Sequence, residues 1–147
     1  MPLTEGSPAP DFQAQDQHGA THRLTDYVGR YLLLYFYPRD NTPGCTKEAC
    51  QFRDYYAALK DRVAILGVSS DSVQSHANFA SQFQLPFPLL ADHDLAIIKA
   101  YGADGETLPK RCSFLIGPEG KIVKIYRTVQ PEEHAEQVLA DLSALAK

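Results

Sequence analysis

Apolar and polar residues alternate in blocks along the chain, and the block lengths separate strands from helices. Tyr31 to Tyr37 is an unbroken apolar run, as expected of a central strand covered on both faces. Val63 to Val68 reads as a second buried strand, ending in the polar Ser69-Ser70-Asp71-Ser72. Between them, Thr42 suits an N-cap and Pro43 a first helical position, so a helix is predicted through Phe52 and Tyr56 to about Lys60. Val73 to Phe83 places Ala77, Phe79, Ala80 and Phe83 on one helical face. A hairpin is expected from Phe12 to Leu24, turning at Asp16-Gln17-His18-Gly19. Phe87 to Leu90 reads as a short strand, and Leu95 to Tyr101 as a short helix closed by Gly102. Ser113 to Ile116 and Lys121 to Tyr126 alternate around Gly117-Pro118-Glu119-Gly120, a second hairpin signal. A last helix is predicted from Pro131 to about Leu145, with Val138, Leu139, Leu142 and Leu145 on one side.

This order is a parallel β-α-β unit, then a helix, an antiparallel hairpin and a final helix. It predicts an α/β fold of the thioredoxin-like kind: a central mixed sheet flanked by helices, with an N-terminal β-hairpin. No repeat or linker divides the 147 residues, so a single domain over 1–147 is expected. The net charge of −4, with scattered Lys and Arg, offers no footprint for nucleic acid. No apolar run approaches membrane-spanning length, and the N-terminus has neither basic region nor apolar core. A reducing cytoplasm is therefore the expected compartment. There, three cysteines point to catalysis, metal binding or core packing rather than a disulfide framework.

The chemistry concentrates in Tyr35-Phe36-Tyr37-Pro38-Arg39-Asp40-Asn41-Thr42-Pro43-Gly44-Cys45-Thr46-Lys47-Glu48-Ala49-Cys50. Cys45 falls in the first turn of the predicted helix, where unpaired backbone N–H groups and the helix dipole favour an anion. A cysteine so placed is expected to be a reactive thiolate, with Cys50 positioned to capture whatever it becomes. Five helical residues span a rise of ~7.5 Å and a rotation of ~140°, so the two Cα atoms should lie roughly 8 to 9 Å apart. That exceeds the ~7 Å limit for a disulfide without backbone movement. Pairing would require local unwinding of roughly Cys45 to Phe52, and Gly44 would ease it.

These residues resemble a peroxiredoxin, most closely the bacterioferritin comigratory protein or peroxiredoxin Q subfamily. The likeness rests on Ala9-Pro10-Asp11-Phe12, on Tyr35-Phe36-Tyr37-Pro38 leading to Thr42-Pro43-Gly44-Cys45-Thr46, on Glu48-Ala49-Cys50-Gln51-Phe52-Arg53, and on Arg111-Cys112-Ser113-Phe114-Leu115-Ile116. The spacing Pro38-x-x-x-Thr42-x-x-Cys45 is that family's signature. The resemblance implies a thiol peroxidase for hydrogen peroxide and organic hydroperoxides, recycled by thioredoxin or a similar dithiol, needing no cofactor, and commonly monomeric. It implies that Cys45 is the peroxidatic and Cys50 the resolving cysteine, that Thr42 and Arg111 orient the peroxide, and that Pro38 and Pro43 shape the pocket, with Gly44, Glu48 and Tyr37 beside them. Arg111 would also favour the thiolate form of Cys45.

Competing readings remain at this level. Cys112 is the other candidate resolver, although strand alternation turns it away from the site if Arg111 faces it. Glu48 could fix the Arg111 guanidinium, pair with Arg53, or be a solvated first-turn acid. A zinc site from the cysteines and a histidine lacks a Cys-x-x-Cys pair, and His18, His22, His76, His93 and His134 are scattered. No histidine stands out as the base of a Cys-His hydrolase. Asp92-His93-Asp94 reads as a helix cap rather than a metal cluster. A thioredoxin-fold disulfide oxidoreductase is the alternative activity, and a redox sensor a third; four residues between the cysteines argue against the first.

Overall fold

The computed structural model describes residues 3–145. Seven strands form one mixed sheet in the order β2-β1-β5-β4-β3-β6-β7. Strand β3 (Tyr31–Phe36) lies at its centre, parallel to β4 (Val63–Ser69) and antiparallel to β6 (Cys112–Ile116). Strand β5 (Leu89–Ala91) continues the parallel side, and β7 (Ile122–Tyr126) pairs with β6. The hairpin β1 (Gln13–Gln15) and β2 (Thr21–Arg23) joins the sheet through a single pair, Gln15 with Ala91. The sheet thus covers the predicted mixed sheet with its N-terminal hairpin.

Side-chain alternation along β3 builds two separate cores. Leu33, Tyr35 and Tyr37 face a layer formed by α1 (Pro43–Asp54), α3 (Val73–Phe83) and α5 (His134–Leu145), and pack with Phe52, Phe79, Val138 and Leu142. Leu32, Leu34 and Phe36 face the opposite layer, against Ile97 and Ile98 of α4 (Ala96–Ala100) and against Phe12 and Leu24. A strand buried on both sides has no polar face to show, which is why its sequence is continuous rather than alternating.

Three boundaries differ from expectation. The first helix ends at Asp54; Tyr55 breaks it, and a separate turn α2 (Tyr56–Leu59) follows. The strand expected at Phe87 to Leu90 runs instead over Leu89–Ala91. Pro88 has no N–H for a ladder, so Phe87 serves the core while pairing begins after the proline. The last helix begins at His134, after turn bonds from Glu133 and His134 N–H to the Gln130 carbonyl, and Leu145 at its end is 40% exposed. Val138 and Leu142 alone of the predicted stripe are fully buried, with Leu139 packed at the edge.

Register sets the site. Tyr35 pairs with Gly67 on one side and Ser113 on the other, so the start of β6 meets the end of β3. A side chain on Gly67 would meet Tyr35 Cζ and Leu89 Cδ2 at 2.8 Å each, so the tyrosine ring occupies the space that glycine leaves. Gly67→Ala is therefore expected to overpack this core and cost about 1 to 3 kcal/mol in urea unfolding, with the slope m unchanged.

Candidate active site

Strand β3 delivers the chain into a loop, Pro38 to Asn41, and then into α1. Asn41 adopts a left-handed φ of 65°, a conformation asparagine tolerates better than most residues. Thr42 stands at the helix N-cap in extended geometry, but its hydroxyl does not cap the helix. It donates instead to the Arg39 carbonyl at 2.9 Å, which leaves its oxygen lone pairs free to accept. Pro43 occupies the first helical position and is exposed, while Pro38, Thr42 and Gly44 are half-buried. Cys45 follows in the first turn and is 2% exposed.

Arg111 reaches this thiol from the residue before β6. Its Nη2 donates to Cys45 Sγ at 3.3 Å and its Nη1 to Glu48 Oε1 at 2.7 Å. Burial opposes the guanidinium charge, but Glu48 and Cys45 more than offset that, so Arg111 holds its proton more tightly than usual. Glu48 is 1% exposed, which decides among its three readings: it fixes Arg111. Arg53 pairs instead with Asp54 at 3.0 Å and donates to the Phe83 carbonyl. Burial pushes the Glu48 carboxyl up from 4.5 to about 7, outweighing the attraction of Arg111, and its second oxygen has no hydrogen-bond partner. Gly44 completes the contact. A side chain there would stand 2.9 Å from Arg111 Nη2, so glycine leaves the guanidinium its path to sulfur.

Cys50 lies half-buried on the same unbroken helix, and all three cysteines are free thiols. Cys112 belongs to the opposite core, against Phe36 and Phe114, where burial pushes its thiol up to about 11. Alternation therefore separates it from Cys45, whose core is the other one. Tyr37 is buried in the same core as Cys45 with its hydroxyl donating to Asp40 at 2.6 Å, so it has no free donor.

The histidines are placed elsewhere. His22 pairs with Asp16, His76 with Asp40, and His134 bonds Ser113, its ring held down to about 4 by burial. Asp92 accepts the N–H groups of Ile97 and Ile98, and Asp94 that of Ala96, so this acidic pair caps α4. Among the described residues, Asp40, Asp71 and His76 are the acidic and imidazole groups that converge within 4.8 Å. Sequence reasoning missed that cluster. A histidine three positions before Phe79 on the apolar face of α3 was the signal, since a buried imidazole needs partners.

A helix-borne thiol buried beneath a guanidinium, on a thioredoxin-like sheet, is the arrangement expected of a thiol-dependent peroxidase. The chain belongs to the AhpC/TSA family, whose description matches residues 6–125, and within it to the bacterioferritin comigratory protein and peroxiredoxin Q group. It is 40% identical to "Peroxiredoxin Bcp" of Bacillus subtilis, covering 100% of this chain and 99% of that one. It is 39% identical to chloroplastic peroxiredoxin Q of Sedum lineare, over 97% of this chain and 80% of that protein. A cysteine-to-serine mutant of peroxiredoxin Q from Xylella fastidiosa superposes with a TM-score of 0.95 at 34% identity, over 100% and 99% of the two chains. The bacterioferritin comigratory protein of Xanthomonas campestris, described for its alkyl peroxide reduction activity, superposes with a TM-score of 0.88 at 37% identity, over 92% of each.

Two outcomes follow from this geometry. Gly44→Ala should leave the melting temperature near that of the unsubstituted protein, because a flexible side-chain end can move, while displacing Arg111 slows oxidation of Cys45 by peroxide on the order of ten- to a hundredfold. Stopped-flow oxidation alongside thermal unfolding checks both halves. Glu48 holds its proton more tightly folded than unfolded, so its contribution to stability is complete below 4.5 and is lost as pH rises to about 7. Urea unfolding of this protein and Glu48→Gln at pH 4.5, 6 and 7.5 should show the unsubstituted chain losing stability relative to the variant across that window. A constant difference would place the Glu48 titration elsewhere.

Proposed function

We propose that this protein reduces hydrogen peroxide and organic hydroperoxides through Cys45, with Cys50 as resolving thiol and thioredoxin or a similar dithiol as reductant. The observation that carries the proposal is the Arg111 guanidinium, held by buried Glu48 and donating to Cys45 Sγ. A fixed cation beside sulfur favours its anionic form and supplies donors where charge develops on a departing oxygen.

Cys45 thiolate attacks one peroxide oxygen and the O–O bond breaks. The bond formed is S–O, giving a sulfenic acid, and the leaving oxygen departs as water or an alcohol after taking a proton. Thr42 accepts a hydrogen bond from the peroxide through its free lone pairs. Arg111 stabilises the leaving oxygen, while Pro38, Pro43 and Gly44 form the rim and Tyr37 the wall. The Cys50 thiol then displaces hydroxide from the sulfenic sulfur, releasing water and forming the Cys45–Cys50 disulfide. An external dithiol exchanges with it and restores both thiols. Sulfur carries the electrons at each step, so no cofactor is required. Two percent exposure of Cys45 favours a small peroxide over a protein disulfide as oxidant, which sets this reading above a disulfide oxidoreductase. We assign the protein to the cytoplasm and to a monomeric working form; no described helix is long and apolar enough to cross a membrane.

Disulfide closure needs α1 to unwind, because helical geometry keeps the two Cα atoms roughly 8 to 9 Å apart. Titrating the reduced protein with hydrogen peroxide in stopped flow, with intact mass taken at each step, tests the whole sequence. The expected product has lost two protons; Cys50→Ser should instead gain one oxygen, and excess peroxide should carry it to the sulfinic acid. Peroxide consumption retained by Cys45→Ser would overturn the proposal.

A further inference from the structure

Asp40 sits midway between Pro38 and Thr42, and its side chain turns away from the thiol into a closed polar network. Its Oδ1 accepts from the Tyr37 hydroxyl at 2.6 Å. Burial and the neighbouring Asp40 push the ionisation of Tyr37 well up, so this phenol is the donor. Its Oδ2 accepts from the Ser75 hydroxyl at 2.7 Å and lies 2.7 Å from His76 Nδ1. The backbone N–H of Asp40 donates to Asp71 Oδ2 at 2.8 Å, and that oxygen also accepts from the Ser69 hydroxyl at 2.7 Å. Three elements thereby hold one loop residue: the end of β4, the first turns of α3, and, through His76, strand β5.

Hydrogen-bond direction fixes the proton count. His76 Nε2 lies 2.9 Å from the Leu90 carbonyl oxygen, which only accepts, so Nε2 carries a hydrogen. A bare Nδ1 facing a carboxylate oxygen at 2.7 Å would set two lone pairs against each other. One further proton therefore lies between Nδ1 and Asp40 Oδ2. The Tyr37 hydroxyl also lies 3.4 Å from Nδ1, and among the described residues Asp71 is the further acidic group converging on the pair. His76 is 0% exposed and Asp40 7% exposed, so water does not compete for these bonds.

We propose that Asp40 and His76, sharing one proton, are a positioning pair that holds the Pro38–Thr42 loop in its peroxide-binding shape and sets the upstream limit of α1 unwinding. The proposal rests on Cys45 being the thiol that meets peroxide. The loop needs such a hold: Asn41 is in the left-handed region, and the Thr42 hydroxyl donates within the same loop, to the Arg39 carbonyl. Every redox cycle that unwinds the helix beyond Cys45 must return Thr42 and Pro38 to the same place. Anchoring Asp40 to α3 and β4 lets the downstream segment open without losing the upstream one.

The Asp40 amide is a direct reporter, because its hydrogen goes to Asp71. Hydrogen exchange by NMR should find that amide protected in both the reduced and the disulfide form of the unsubstituted protein. His76→Leu, which cannot hold Asp40, should lose that protection and slow Cys45 oxidation by hydrogen peroxide on the order of ten- to a hundredfold. His76→Asn, which keeps a donor near the Nδ1 position, should restore the rate to within about threefold, a rescue that mere core filling would not give. Ser75→Ala, a milder change at a half-buried site, should show a smaller loss of both readouts and keeps the test available if His76→Leu does not fold. A folded His76→Leu reacting within about twofold of the unsubstituted rate would overturn the proposal, as would loss of Asp40 protection on disulfide formation. Peroxide consumption without Cys45 would instead overturn the functional reading, whatever the Asp40 amide shows.

Discussion

The structure turns on one half-buried cation. Arg111 is the group that sees both Cys45 and Glu48, and neither partner is placed sensibly without it. A glutamate 1% exposed, with one oxygen unpartnered, is costly in isolation, since desolvation alone pushes its carboxyl towards neutrality. A guanidinium offsets part of that cost through a bond at 2.7 Å, and its second arm is then free for sulfur at 3.3 Å. Lysine could not serve in the same way, because a single ammonium lacks the planar fork that reaches two acceptors at fixed angles. Glu48 is thus the support and Arg111 the tool.

This arrangement constrains backbone that never touches the thiol. Arg111 precedes β6, whose first residue pairs with Phe36 at the end of β3, so sheet register carries the guanidinium to the mouth of the β3–α1 loop. The alternation that aims Arg111 at one layer sends Cys112 to the other. Gly44 has no Cβ because Arg111 Nη2 occupies the space where one would go. Tyr35 fills the volume above Gly67, its hydroxyl buried without a partner, as the core closes beneath α1.

Much of this was legible in the sequence, and the omissions have physical causes. Tyr31 to Tyr37 announced a central strand because a doubly covered strand tolerates no polar residue. The span of α3 was readable from its apolar spacing, and the structure adds that the Ser72 hydroxyl accepts from the Ser75 N–H at its start. Cys45 and Arg111 were readable from local spacing and family resemblance together. Glu48 stayed open among three readings, since a first-turn glutamate on a helix looks the same whether water or a guanidinium faces it. Thr42 was readable as the N-cap position, but spacing does not say that its hydroxyl turns to the Arg39 carbonyl rather than to the helix. The place of His76 on the apolar face of α3 signalled a buried imidazole, but not that its partner would be Asp40, 36 residues away.

The same contrast explains how one helix can be both precise and breakable. Cys50 is half-buried on the intact helix, but Phe52, two residues on, is fully buried between Tyr35, Phe87 and His134, with ring centroids at 4.9, 6.3 and 5.6 Å. Removing a phenylalanine from such contacts costs about 3 to 5 kcal/mol, whereas fraying residues that carry small or half-buried side chains costs far less. Unwinding that starts at Cys45 therefore meets a steep cost at Phe52, and the Asp40 network resists it from the other end. The segment left between them holds both cysteines and Glu48. Exposing Glu48 frees it from the burial that raised its proton affinity, so above pH 4.5 the unwound segment sheds a proton that the helix retains. The buried acid that fixes Arg111 in the helical state thus becomes, as pH rises towards 7, a term favouring the unwound one.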